Sequence, residues 1–149
     1  MKKILVAGLA CAGLAGSAAP AAAGLLSSTG AVIAILGGEL FVGTAEGHYD
    51  GAGTLSIHSQ KNAALTCSGK FTSSKELGGK GKLQCSDGST ATFKFQRLTI
   101  YKGHGTGRLS RGPMSFTYGI AAEEAVPYLK LPKGKKLARN GTGLELVSL

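Results

Sequence analysis

Across residues 64–96, small or apolar residues fall at every second position: Leu65, Cys67, Gly69 and Phe71, then Leu83 and Cys85, then Ala91, Phe93 and Phe95. That period of two belongs to strands with one buried face, and a helix, whose side chains return every 3.6 residues, cannot satisfy it. Polar segments, TSSKELGG at 72–79 and SDGS at 86–89, interrupt the alternation. The stretch therefore reads as three consecutive antiparallel strands joined by turns.

The same residues predict a register. Opposed residues of an antiparallel pair have position numbers with a constant sum. A sum of 152 sets Cys67 against Cys85 and Gly69 against Leu83, which keeps apolar against apolar along the inner face. Directly opposed cysteines have Cα atoms roughly 4.5–5.5 Å apart, within disulfide reach. For the next pair, a two-residue Asp87-Gly88 turn sets Cys85 against Thr90 and mixes the faces. A loop centred on Gly88, with a sum of 176, sets Cys85 against Ala91 and Leu83 against Phe93 and is preferred. On the opposite face it predicts a row of three lysines, Lys70, Lys82 and Lys94. Like charges directly opposed are destabilising, so the row reads either as a solvated face or as a docking stripe for an anionic partner.

The amino terminus carries a leader. Met1-Lys2-Lys3 is basic, residues 4–16 are apolar, and 17–23 are small and end in Ala21-Ala22-Ala23. This is the pattern of a secretory signal peptide over 1–23, with cleavage expected after Ala23. Gly8-Leu9-Ala10-Cys11 offers a competing route, lipidation of Cys11 as in bacterial lipoproteins. No charge occurs between Lys3 and Glu39, so residues 24–38 read as an apolar linker or a residual anchor. Membrane association through Cys11 or through residues 4–37 follows as an expectation, as does export to the periplasm or envelope of a bacterium. Export makes a Cys67–Cys85 disulfide the expected state of the remaining pair. A metal site is the poorer reading of those cysteines, because the close CxxC spacing is missing.

A single β domain is expected over 39–149. The 24 glycines set against four prolines suit many short strands with tight turns. Leu40-Phe41-Val42, residues 54–57, 98–101, 107–109 and 114–118 are further strands. Apolar parity switches from odd to even at Gln96-Arg97, which points to a β-bulge. Residues 121–125 form the one helical stretch, stopped by Pro127. An Asn140-Gly141 turn predicts a hairpin with a sum of 281, Leu137 against Leu144 and Lys136 against Glu145. The strand at 144–147 is then available to close the sheet against the first. The fold class is all-β, a Gly-rich antiparallel barrel or sandwich of eight or nine strands with one short helix.

Residue types that carry chemistry are sparse. His48-Tyr49-Asp50 and His104 are the only candidates for a base with partners, and they read more simply as loop positions. Gly103-His104-Gly105-Thr106-Gly107 lacks the GK[ST] ending of a phosphate loop and has no helix after it, so it reads as a bulged turn. No catalytic residue, metal or cofactor is assigned, and the chain is not expected to be an enzyme. The charge of +9 favours anionic partners. Lys130, Lys133, Lys135, Lys136 and Arg139 form a basic run without an acid, which with Lys70, Lys82 and Lys94 makes the candidate anion-binding set. Aromatic residues hardly interleave with these charges, which disfavours nucleic acid.

The blocks GTAEGHYDGAGTL, LTCSGKF, QCSDGSTATF, RGPMSFTYG and PYLKLPKGKKL resemble those of small exported bacterial envelope proteins of uncharacterised function. That resemblance spans about residues 43–137 and implies no activity, ligand or site residue. The reading is a non-catalytic binding module for an anionic envelope lipid or acidic glycan. Its rivals are a small apolar-ligand carrier with a pocket lined by Phe93, Phe95 and Phe116, and a hydrolase built on His48 or His104 beside an acid.

Overall fold

The computed structural model describes residues 27–74 and 78–149. The expected leader, its expected cleavage site and Cys11 lie outside them. Eight antiparallel strands follow one another in chain order, and the last returns to the first to close a barrel. They are β1 (Ser27–Leu36), β2 (Glu39–His48), β3 (Ala52–Ser59), β4 (Thr66–Ser74), β5 (Gly78–Cys85), β6 (Thr90–Thr99), β7 (Lys102–Leu109) and β8 (Gly112–Tyr118). After them come the single helical turn α1 (Ala122–Ala125), a 3₁₀ turn (Val126–Tyr128), and the hairpin β9 (Lys135–Asn140) and β10 (Gly143–Ser148). Closure removes free sheet edges, the usual hazard of an all-β chain.

The first cross-strand register holds. Cys67 faces Cys85, Gly69 faces Leu83 and Lys70 faces Lys82. The two cysteines form a disulfide with Cα atoms 3.9 Å apart. The second register is corrected. Leu83 faces Ala91 and Lys80 faces Lys94, a sum of 174 rather than 176. The loop is three residues long because its own side chains fix it. Gly88 takes a left-handed φ of 87° and donates its N–H to Cys85 O at 3.0 Å, while Cys85 N–H donates to Ser89 O at 2.8 Å. Asp87 Oδ1 accepts from both the backbone and the hydroxyl of Ser89. A glycine in the left-handed region at the third loop position is the usual solution for such hairpins. The slip of two residues keeps every side chain on its expected face.

Four further expectations change. Residues 27–36, read as part of a linker or anchor, form β1, which pairs with both β2 and β8. Gly103-His104-Gly105-Thr106-Gly107 is the body of β7 rather than a turn. The terminal hairpin turns at Gly141-Thr142, which sets Leu137 against Leu146 and Ala138 against Glu145. It forms a two-stranded sheet of its own and leaves closure of the barrel to β8. The expected bulge is present, as a register shift between Arg97 and Thr99.

Two cores result. The inner one fills the barrel, with Leu36, Phe41, Ile57, Cys67, Leu83, Cys85, Leu109 and Met114 at the end that carries the β1–β2 and β5–β6 turns. The outer one lies on the reverse of β1 and β2. There Ile33, Ile35 and Leu40 pack beneath Ala125, Leu129, Leu137, Leu144 and Leu146. This second layer explains why residues 31–36 of β1 read as a continuous apolar run: from Val32 to Leu36 the strand is buried on both faces. At the exposed edge of this layer Arg139 donates a fork to the Glu123 carboxylate, 2.5 and 3.1 Å away. That bond holds the Glu123 pKa down at about 2.

Candidate functional site

The two ends of the barrel differ. One is packed solid around the disulfide. The other opens into a cavity of about 400 Å³, lined by inward residues of β1–β4, β6 and β8 and by the β2–β3 and β6–β7 loops. An eight-stranded barrel is just wide enough to be filled by side chains or to hold one small ligand. Here side chains fill one end and leave the other open.

Interleaved glycines and rings make the room. Inward positions alternate across neighbouring strands: Phe71 faces Gly81, which faces Phe93, which faces Gly107. One step nearer the mouth, Gly79 faces Phe95, which faces Gly105, which faces Phe116. Each ring lies across the glycine beside it, so a Cβ at Gly81, Gly103 or Gly105 would stand well inside 3.0 Å of a neighbouring aromatic side chain. The rings meet edge to face, Phe71 on Phe95 at 5.4 Å, Phe93 on Phe116 at 5.3 Å and Phe95 on Tyr118 at 6.0 Å. This geometry suits the ring quadrupoles. The glycine-rich composition thus has a concrete use: the aromatics lie against the wall and leave the axis open at the mouth.

Polar groups gather toward the rim, with Ser27, Ser28 and Thr29 on β1, Ser73 on β4, Arg97 on β6 and Tyr118 on β8. Arg97, Gly103 and Tyr118 form one inward row over three strands. Glycine in the middle makes room for the Tyr118 phenol, whose oxygen end lies where a Cβ would stand. Arg97 Nη2 donates to Ser73 Oγ at 2.6 Å, and no acidic residue lines the cavity among the described residues. Tyr118 Oη is buried without a hydrogen-bond partner. Burial pushes the Tyr118 phenol above its ordinary value, and the Arg97 charge draws it part of the way back. At the rim, Tyr49, Ile100 and Tyr101 stand 73%, 61% and 62% exposed, an apolar collar where a soluble surface is ordinarily polar.

Phe93, Phe95 and Phe116, named from sequence as the lining of a carrier pocket, do line this cavity. Arg97 and Tyr118 were not singled out. The parity switch at Gln96-Arg97 marks Arg97 only as the place of a bulge, although its odd number, continuing Phe93 and Phe95, was the available signal.

The basic residues separate into two groups. Lys70 and Lys82 oppose each other, and so do Lys80 and Lys94. Lys94 therefore does not continue the Lys70–Lys82 row, because of the shorter β5–β6 loop. With Arg108 and Lys130 these four line a broad depression on the outer face of β4–β7, which no acidic residue lines among the described residues. Lys133, Lys135, Lys136 and Arg139 lie elsewhere, on and before the hairpin that covers β1 and β2. Arg139 is engaged by Glu123, and Lys135 Nζ donates to Ser148 Oγ at 3.2 Å.

The histidines are dispersed. His48 is exposed at the mouth, and the carboxylate of nearby Asp50 accepts from Ala52 N–H at 2.9 Å as a turn cap. His104 is on the outer face of β7, stacked on Tyr128 at 4.3 Å. Among the described residues no group of three metal-ligating side chains gathers, and no helix is long and apolar enough to cross a membrane. Neither the family models, nor the curated proteins, nor the solved structures give a match to this chain.

Proposed function

We propose that this protein is a non-catalytic binding barrel that takes a small apolar molecule into its open end. The cavity behind the apolar collar, walled by Phe71, Phe93, Phe95 and Phe116, carries the reading. Its volume lies in the range of small-ligand sites, which are generally lined by apolar and aromatic side chains, as its walls are below the rim.

Gly47 provides the test. It points inward at the mouth, lines the cavity, and a Cβ added there meets nothing within 4 Å. Gly47→Leu is expected to fill the space. Saturable binding of the uncharged fluorophore N-phenylnaphthylamine should weaken by about tenfold or more, the equivalent of losing about two buried methylenes of ligand contact. Stability should rise by about 1–2 kcal/mol in denaturant titration, from new burial and a less flexible unfolded chain. Equal binding by the variant and the wild type, or no saturable binding by either, removes the reading.

The outer depression favours a second role for the same protein, contact with an anionic envelope surface. Four lysines in two opposed pairs, with Arg108 and Lys130 beside them, concentrate positive potential on one face. Replacing Lys70, Lys80, Lys82 and Lys94 with glutamine is expected to leave the thermal midpoint unchanged or slightly raised, because two repulsive pairs are removed. Co-sedimentation with phosphatidylglycerol vesicles should fall steeply, each cation near an anionic bilayer contributing about 1 kcal/mol. The difference should be greatest at low salt. Equal, equally salt-dependent sedimentation of both proteins would make the depression an ordinary solvated surface.

A further inference from the structure

We propose that the ligand is a single-chain amphiphile with an anionic headgroup, its chain lying against Phe93, Phe95 and Phe116 and its headgroup held by Arg97. The proposal rests on the reading of the open end as a binding cavity.

Arg97, Phe95 and Phe93 alternate inward along one strand. At about 3.4 Å per residue, the Cα atoms of Arg97 and Phe93 lie roughly 14 Å apart along the tilted strand. A ligand lying along β6 thus meets a charge at the rim and only hydrocarbon below it, which is the polarity of an amphiphile. The sign follows from the lining. No carboxylate faces Arg97 among the described residues lining the cavity. A half-buried guanidinium has five donors, and the hydrogen bond to Ser73 engages one of its nitrogens. Partly desolvated charge is costly unless paired, and a guanidinium fork matches the two oxygens of a carboxylate or phosphate.

Tyr118 makes an independent second observation. Its hydroxyl shares the inward row with Arg97 across Gly103 and is buried without a partner. Such groups are uncommon in folded proteins and call for a specific reason. That oxygen lies over Gly103 with no exposed surface, so a headgroup on Arg97 supplies the acceptor that the hydroxyl lacks once the ring turns off that glycine toward the cavity.

The test is calorimetric titration of the full-length protein with four probes of one chain length: dodecanoate, dodecyl phosphate, dodecanol and dodecyltrimethylammonium. At least one of the two anions is expected to bind about tenfold or more tighter than dodecanol, the effect of one charge-assisted hydrogen bond. The cation should bind weakest. Arg97→Gln should bring the anions to within about twofold of dodecanol and leave dodecanol unchanged, while Arg97→Lys falls between. Tyr118→Phe should weaken the preferred anion alone. Anions and dodecanol binding equally to the wild type would overturn the headgroup assignment and leave the cavity reading intact. Equal loss of all probes in Arg97→Gln would also overturn it, marking Arg97 as structural. If no probe binds, the cavity reading itself fails.

Discussion

Loss of the Cys67–Cys85 disulfide is expected to lower the thermal midpoint by about 10–15 °C. The bridge joins residues 18 apart. In the chain-entropy account, a loop of that size restricts the unfolded chain by about 3 kcal/mol, and a domain of this size shifts by about 3–5 °C per kcal/mol. Both sulfur-bearing side chains are buried in the packed end of the barrel, so their replacement also leaves a small void that adds to the cost. Calorimetry of Cys67→Ala/Cys85→Ala, alongside wild type held in reductant, measures the effect. A shift below about 3 °C in both samples would mean that the β4–β5 hairpin is already restricted in the unfolded chain. Binding at the open end should survive in the double variant at room temperature, because the bridge lies at the other end.

Gly105→Ala is expected to destabilise by more than about 2 kcal/mol, although it adds one methyl group to a strand where alanine is ordinarily preferred. The new Cβ would meet the Lys94 carbonyl on one side and the Phe116 ring on the other, both well inside 3.0 Å. The ring can swing aside. The carbonyl belongs to the ladder and cannot move without breaking it. Phe116→Leu in the Gly105→Ala background should therefore recover only part of the loss in urea titration. Full recovery would show that the ring alone sets the requirement for glycine. Stability equal to wild type would show that the strands separate at little cost. Set beside Gly47→Leu, this variant separates glycines that hold the wall together from one that leaves the mouth open.

Much of the barrel was legible because strands buried on one face advertise themselves by alternation. Cys67, Gly69, Leu83, Cys85, Phe93 and Phe95 all face inward as their spacing requires. Exact pairing was legible only where something pinned it. The cysteines pinned β4 to β5. Nothing comparable pinned β5 to β6, where the decision lay with Gly88 φ and the Asp87–Ser89 hydrogen bonds, local details that alternation does not encode. β1 escaped for the opposite reason: buried on both faces from Val32 to Leu36, it has no polar face to alternate with there and resembled an anchor. Of the candidate site, the three phenylalanines followed from parity. Arg97 and Tyr118 did not, since their significance depends on Gly103 standing between them, a relation across three strands rather than along one.

The in-order strand sequence also sets a timetable. Every ladder but one joins strands that are neighbours along the chain, so the hairpins can form early at small entropic cost. The exception is the β1–β8 seam, where Val32 meets Tyr118, a contact between distant parts of the sequence. A chain emerging amino terminus first presents β1 long before its second partner exists, and one edge of β1 remains an open ladder until β8 arrives. The apolar outer side of β1 waits longer still, because Leu137, Leu144 and Leu146, which help to cover Ile33 and Ile35, follow β8 in the chain. The barrel is therefore closed only when β8 arrives, and its outer layer only with the β9–β10 hairpin. Any process that threads the polypeptide from its first residue onward meets it before its seam has closed.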